Sequence, residues 1–455
     1  IRWFDWKNEN SLFPSVQIQR WALGLAPGLT ARILPQSEFA NTDPTRSIEA
    51  TCDLRGIEAV HQQLALSVEP LTTAGASSSL LLAALLVWCG HAVWGHRKRY
   101  PWLLMAMTAL GTLVGIYGVV GAFTKGRPNL LGLTYGPSFS VFVSKNSAGA
   151  FLNIAFAASL AITSRIMLQA YRATEKQMRS RDTSHWPATA RLQFWTKSLY
   201  EQIDYPAIIS LLLTLFLAIC VPISLCRGAF ASAIAGVFAT VAVTWPGKKR
   251  TVLMFASLIA MLAALAMMIG LQWDQGTLSR LESIENVDFS ADKQAGRLYI
   301  WNVAAQAIGY YQWFGSGLGT FHVAALPFQN PSALGWYYHA ESLIAESLVT
   351  LGIFGAVSIV VGLFVLARAL LTMYHSPNYR EYLPLKVGGT FFLVSQALHA
   401  CIDFAWILPG VYIPCSLFIG SILGGNTQSK IAHERIHPKR SEEHTSELQS
   451  HSDLV

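Results

Sequence analysis

The sequence predicts an all-α protein that crosses a membrane many times. Hydrophobic residues make up 52% of the 455 residues and charged residues only 13%, and the mean hydropathy is +0.38. An average soluble domain carries about 25% charged residues, so the composition excludes an ordinary soluble fold. Nine apolar segments also reach the roughly 20 residues that a helix needs to cross a bilayer core. Helices are expected because a segment in lipid must satisfy its own backbone hydrogen bonds.

The predicted spans form two groups, six before and three after a long polar loop. They are residues 72–94, 101–123, 146–168, 206–226, 229–246, 251–271, 341–371, 386–406 and 408–425. The domain plan therefore places spans in 72–271, a large outer loop in 272–340 and the remaining spans in 341–425. An outer-face segment, 1–71, precedes them, and a basic cytoplasmic tail, 426–440, follows them.

Both ends of the chain are expected to be artificial. The first residue is Ile1 rather than Met, so a preceding piece with further spans is expected. From Arg440 to His451 the chain reads RSEEHTSELQSH, which resembles the translation of a sequencing-library adapter. Residues 441–455 are therefore left out of the fold prediction.

Lysine and arginine predict the side of each loop, because these residues are concentrated in cytoplasmic loops. If successive loops alternate between the two sides, one set contains twenty Lys and Arg residues and the other only seven, with residues 1–70 set aside. This difference predicts that residues 1–71, 124–145 and 272–340 lie outside, on the periplasmic face of a Gram-negative cell. The turn near residue 227 faces the same way.

The six cysteines predict neither a disulfide framework nor a zinc site, because none are spaced as CxxC or as metal ligands. We expect most of them to be small apolar core residues. They are Cys52, Cys89, Cys220, Cys226, Cys401 and Cys415.

The strongest candidate for a functional site is the polar stretch within Gly296–Gly355. It carries Arg297, His322 and His339, and it runs directly into the seventh span through His339 and Glu341. A loop of this length between packed elements is usually functional.

His339 is the candidate general base. It is expected to open the seventh helix, where the positive end of the helix dipole disfavours imidazolium and keeps the ring neutral. Glu346, seven positions further on, would lie about two turns deeper on the same helix face. Standing alone, a loop histidine is more often solvated surface.

Two other outer-face positions carry candidate cations. Arg227 falls where one predicted helix turns back into the next, and an arginine at this depth is costly without a partner. The alternative is an arginine that extends to the interface. Lys145 and Asn146 begin the third span, where Asn146 could serve simply as a helix cap.

His399 and Asp403 form a candidate ionisable pair in the outer part of the eighth span. Because they are four residues apart, they would share one helix face. Such groups are expensive in lipid, so the pair is either functional or a mutually satisfied contact that locks two helices together. Fixed cations beside a neutral histidine suit one task, which is to hold an anionic headgroup while deprotonating a hydroxyl.

Six short blocks of the sequence resemble those of the O-antigen ligase and exopolysaccharide polymerase superfamily of bacterial envelope glycosyltransferases. Their order and shared side make the set more specific than any single block. The blocks are FVSKNSAGAF at Phe142–Phe151, SLCRGA at Ser224–Ala229, GRLYIW at Gly296–Trp301, GSGLGTF at Gly315–Phe321, YHAES at Tyr338–Ser342, and the stretch His399–Pro409.

The resemblance implies roles for individual side chains. Arg227 and Arg297 would hold the pyrophosphate of a lipid-linked donor, with Lys145 as a further contact, and His339 would activate the acceptor hydroxyl. Many relatives carry an acidic residue where this chain has Thr350, so Glu346 or Glu341 would take over that role. Asn146, His399 and Asp403 would support the site.

The resemblance also implies the reaction and its partners. An undecaprenyl-pyrophosphate-linked glycan would be transferred to a glycan, a lipid A core or a protein hydroxyl, on the outer face of the bacterial inner (plasma) membrane. Apart from these substrates and the membrane lipids, no nucleic acid and no cofactor are expected. The sequence contains no Asp-x-Asp motif that would bring a divalent metal, so a metal-independent reaction is expected.

Two other classes of function compete with this interpretation. A transporter or flippase of lipid-linked glycans would use the Arg and His residues to line a passage, but transporters usually have polar or broken helices at the bilayer midplane. The midplane stretches Ile208–Ala218 and Leu253–Met268 contain no charged residue. An inactive scaffold of an envelope complex is the third hypothesis.

Overall fold

The computed structural model confirms the all-α membrane fold. It describes residues 67–123, 139–181, 185–244, 297–329, 337–375 and 381–436, which form helices, turns and an isolated β-bridge between Phe139 and Phe142. In chain order the helices are α1 (Pro70–Cys89, continued by the π-helical turn Gly90–Trp94), α2 (Tyr100–Phe123), α3 (Lys145–Ser180), α4 (Ala188–Gln202), α5 (Tyr205–Ile223), α6 (Arg227–Thr244), α7 (Arg297–Tyr310), α8 (Phe321–Ala324), α9 (Leu343–His375), α10 (Leu383–Ile402) and α11 (Pro409–Ile436).

Seven helices in the described part of the chain are long and apolar enough to cross a membrane. They are α1 with its π-helical turn, α2, α3, α5, α6, α9 and α10. The predicted span 251–271 lies outside the described residues. The predicted span 408–425 corresponds, apart from its first residue, to the beginning of α11, which is not one of the seven.

Contacts divide the chain into two compact units. The boundaries between the units fall inside α1 and α9, so each of these two helices has residues in both units. The first, which we call the loop unit, contains the described residues 67–78, 297–329 and 337–357. The second, the helix unit, contains the described residues from 79 to 244 and from 358 to 436.

Helix α3 is the central element of the helix unit, where it packs against α2, α5, α6 and α10. Its buried face is rich in alanine, including Ala148, Ala157 and Ala158, each fully buried. Small side chains let membrane helices approach closely, which replaces the hydrophobic driving force that lipid does not supply. The helix runs to Ser180 and so extends well beyond the predicted span 146–168.

Within the helix unit, glycines allow α11 to pack closely against the end of α1. A Cβ on Gly90 would lie 2.6 Å from the carbonyl oxygen of Leu417, and a Cβ on Gly420 would overlap the carbonyl of Val87. The two helices are therefore in backbone contact at a stripe of small residues. Helix α11 packs against membrane-spanning helices even though it is not one of the seven that are long and apolar enough to cross a membrane.

Candidate active site

The loop unit is built around a break in α9. At Gly352 the backbone has φ 65° and ψ −161°, a region that is essentially reserved for glycine. The carbonyls of Val349 and Thr350 accept instead from the amides of Ser316 and Gly317, each at 2.9 Å. The amide of Ile353 donates to the carbonyl of Gln312, also at 2.9 Å. These three bonds, which we call the clasp, fix the segment that contains Gln312, Ser316 and Gly317 to the broken helix.

Glycine is required on both sides of the clasp. A Cβ on Gly315 would overlap the backbone of Thr350 and Leu351, and a Cβ on Gly352 would overlap the backbone of Trp313. Both glycines also have positive φ. The GSGLGTF block therefore has a physical explanation, because close backbone approach leaves no room for a side chain.

His339 and Glu346 form the central pair of the loop unit. His339 Nδ1 lies 2.9 Å from Glu346 Oε1, and Glu346 Oε2 accepts from the amide of Ala340 at 3.3 Å. The Glu346 side chain is only 4% exposed and the His339 side chain 24% exposed. A carboxylate beside Nδ1 favours the tautomer with its proton on that nitrogen, so Nε2 carries the lone pair that a general base needs.

The prediction that His339 opens the helix is wrong, and so is the predicted offset of two helical turns between His339 and Glu346. Helix α9 begins at Leu343, and His339 lies in the irregular segment before it. Glu341 has a φ of 53°, which is unusual for a residue other than glycine and turns the backbone sharply. Because of this turn, the imidazole meets the first-turn carboxylate directly instead of lying two turns above it.

Arg297 and Glu341 form a second, more exposed pair. The first residue of α7, Arg297, places Nη2 3.4 Å from Glu341 Oε2, with side-chain exposures of 45% and 30%. Helix α7 is held in place by its apolar face, where Ile300, Val303 and Ala304 are buried. The two candidate carboxylates are thus divided between two partners, Glu346 to the histidine and Glu341 to the arginine.

A third pair, which was not predicted, joins His322 to Glu69. His322 Nε2 lies 3.3 Å from Glu69 Oε2, and the His322 ring stacks on Tyr338 with ring centroids 4.5 Å apart. Burial lowers the pKa of His322 below its usual value, while the Glu69 carboxylate acts in the opposite direction. The sequence drew attention to His322 as a loop residue but assigned it no role, and nothing local to Glu69 connects it with this loop.

In the helix unit, the Cys226 thiol lies among polar side chains. Its Sγ is 3.3 Å from Asn146 Oδ1, to which it donates, and 3.7 Å from His399 Nε2. The amide of Ala229 donates to the same sulfur at 3.3 Å. Cys226 is therefore more than a small apolar core residue, the role expected for most of the cysteines, since it connects the starts of α3 and α6 with the end of α10. All five cysteines in the described residues are free thiols.

Two local expectations about this region are also wrong. Ser144, rather than Asn146, caps α3, because the Ser144 side chain accepts from the amide of Asn146. Helix α10 ends at Ile402, and Asp403 is in extended conformation, so His399 and Asp403 do not share a helix face. Asp403 Oδ1 instead accepts from the amide of Ala405 at 2.8 Å and caps the following turn.

Arg227 and Lys145 lie at helix starts, as predicted. Arg227 is exposed and begins α6 directly after the turn that follows α5. The next residue, Gly228, packs so closely on Ile402 that a Cβ would overlap its side chain. Lys145 is the first residue of α3. Both cations therefore lie in the helix unit, whereas Arg297 and His339 lie in the loop unit.

Within the described residues, no group of three or more His, Cys, Asp or Glu side chains is arranged to hold a metal ion. Metal independence stays a prediction, which requires a measurement with a chelator.

Comparison with known families identifies one match. Residues 212–360 match the family model described as O-antigen ligase. The match confirms the superfamily resemblance, and it includes Arg227, Arg297 and His339. Lys145, Asn146, His399 and Asp403 lie outside it. A comparison with curated proteins gives no match.

Proposed function

Because residues 212–360 match the O-antigen ligase family model, we propose that the chain is a membrane glycosyltransferase. It transfers a glycan from undecaprenyl pyrophosphate to a hydroxyl acceptor on the outer face of the bacterial inner membrane. The observation that carries this proposal is the 2.9 Å contact between His339 Nδ1 and Glu346 Oε1, which favours the tautomer in which Nε2 can accept a proton.

In the proposed reaction, His339 Nε2 takes the proton of the acceptor hydroxyl. The hydroxyl oxygen then attacks the anomeric carbon of the donor sugar, and the bond from that carbon to the pyrophosphate oxygen breaks. The electron pair leaves with the lipid pyrophosphate, so a new glycosidic bond forms without any redox change. General base catalysis of this kind contributes roughly 10²- to 10⁴-fold to the rate.

Arg297 is proposed to bind the leaving pyrophosphate. A guanidinium matches two phosphate oxygens at once and stabilises the charge that develops as the bond breaks. Its pair with Glu341 does not oppose this role strongly, because Arg297 is exposed, Glu341 is partly exposed and the atoms are 3.4 Å apart. Exposed ion pairs are worth about 0–1 kcal/mol, so a pyrophosphate can displace Glu341 at little cost.

The remaining roles rest on the resemblance. Arg227 and Lys145 are proposed as further pyrophosphate ligands, which agrees with the exposure of Arg227 at the start of α6. Asn146, His399 and Asp403 are proposed as supporting residues. Asn146 and His399 both contact Cys226, the residue that precedes Arg227 in the chain.

The function is tested with purified protein in lipid vesicles and a labelled undecaprenyl-pyrophosphate glycan, without nucleotide and with EDTA present. The proposal predicts release of undecaprenyl pyrophosphate together with an acceptor-linked glycan. A size ladder in the product would identify a polymerase, and a single transferred glycan a ligase. Movement of intact donor between leaflets, with no pyrophosphate released, would instead support a flippase.

A further inference from the structure

Tyr338 presents an aromatic ring beside the proposed base. Its residue surface is 57% exposed, although its ring lies parallel to the His322 ring at 7° with centroids 4.5 Å apart. A large aromatic side chain that is stacked and also well exposed offers a flat, rigid surface to whatever approaches it.

The partner of Tyr338 in this stack is itself fixed. His322 is 3% exposed, lies within the short helix α8 and contacts Glu69 at 3.3 Å. Its neighbours Phe321 and Ala324 are buried in the apolar core of the loop unit. The Tyr338 ring therefore rests on a support that packing holds in place.

The position of Tyr338 relative to His339 is also fixed. The two ring centroids are 5.7 Å apart with a tilt of 58°, and both oxygens of the Glu346 carboxylate hold the segment that follows. A group lying against Tyr338 would consequently be within a few ångströms of the base.

We propose that Tyr338 is a stacking platform for a sugar ring of the acceptor, so that the acceptor is a saccharide. This inference rests on the proposed function, since it places the acceptor hydroxyl at His339. The C–H groups on one face of a pyranose carry partial positive charge, and they complement the negative face of an aromatic ring. A serine or threonine side chain of a protein acceptor has no comparable flat face.

The test measures transfer kinetics with three acceptors: a deacylated lipid A core oligosaccharide, the glycan released from its lipid carrier by mild acid, and a Ser/Thr-containing peptide. Tyr338→Ala is expected to raise the KM for a saccharide acceptor by about two- to tenfold, because the contact with the aromatic ring is lost, with kcat little changed. Tyr338→Phe, which keeps the ring, is expected to match the wild type.

Two further variants complete the design. Trp313→Ala removes an aromatic residue that is similarly exposed, at 60%, and is expected to leave the acceptor KM unchanged. Tyr338→Leu keeps apolar bulk without a π face, and it provides the same test if the alanine variant does not accumulate.

The outcomes separate this inference from the proposed function. An unchanged saccharide KM in Tyr338→Ala or Tyr338→Leu, a fall in kcat alone, or use of the peptide alone would overturn the platform while leaving the glycosyltransferase in place. If the wild type consumes no donor with any acceptor, the function fails and the platform fails with it.

Discussion

At the scale of single residues, the candidate site contains three pairs of side chains, and the pairs differ in how deeply they are buried. Glu346 and His322 are almost fully buried, whereas Arg297 is exposed and Glu341 is partly exposed. Buried partners hold a geometry, because breaking one of them leaves a polar group without its bond in a dry environment. Exposed partners can exchange for substrate. The buried pairs are thus suited to positioning and the exposed pair to binding.

Glu346→Gln tests the positioning of His339. The variant keeps the shape of the side chain but removes the charge that favours the reactive tautomer and stabilises imidazolium as it forms. We expect kcat to fall by on the order of 10²-fold, with the donor KM little changed. Glu341→Gln is the matched control and should retain kcat. Equal losses in the two variants would show that the 2.9 Å bond has no special role.

Arg297→Ala and Arg297→Lys test the pyrophosphate contact. Loss of a bidentate, charge-assisted contact should reduce kcat/KM for the donor by roughly 10- to 100-fold. Lysine should restore only part of it, because it cannot bind two oxygens in a fork. Donor kinetics measured at saturating acceptor give the answer. Full activity in both variants would refute the role of Arg297.

The members of this site could be predicted from the sequence more readily than their geometry. Arg297, His339 and Glu346 stand out as polar residues beside long apolar segments. Their actual arrangement depends on the positive φ of Glu341, for which no local signal exists. Glu69 and His322 are far apart in the chain, so their contact appears only once the loop unit has folded.

At the scale of elements, the break in α9 places the site. A regular helix would have used the carbonyls of Val349 and Thr350 internally, but here they accept from the Gly315–Phe321 block. The sequence predicted a single uninterrupted span over 341–371, because Gly352 lies within an apolar run and glycine is common in membrane helices. This glycine differs from the others in the helix by its positive φ and by the close approach of the Trp313 backbone, and neither feature has a signal in the sequence.

Gly352→Ala tests the clasp. A side chain at φ 65° is strained by about 1–3 kcal/mol, and its Cβ would also overlap the backbone of Trp313. We expect the variant to lose several degrees of thermal stability in detergent, together with most transfer activity. Gly362→Ala is the control in the same helix, because nothing lies within 4 Å of its added Cβ. Equal stability of the two variants would argue against the clasp.

At the scale of the whole molecule, the apolar composition and the length of the apolar segments together predicted the all-α membrane fold. Apolar segments of sufficient length predicted six of the seven spans closely; α3 exceeds its predicted span because its basic, polar continuation after residue 168 carries no hydrophobic signal. The turn between α5 and α6 ends directly before Arg227, close to its predicted position. The polar contacts of Cys226 were missed because they join three helices that are distant in sequence.

The central claim is that this molecule is a glycosyltransferase whose base is His339. The most direct measurement compares wild type, His339→Ala and the control His185→Ala, which changes an exposed histidine between α3 and α4. Each protein is incubated with labelled undecaprenyl-pyrophosphate glycan and acceptor. We predict release of undecaprenyl pyrophosphate by the wild type and the control, and a loss of at least about 10²-fold in His339→Ala with normal membrane insertion. Wild-type rates of release from His339→Ala would contradict the claim.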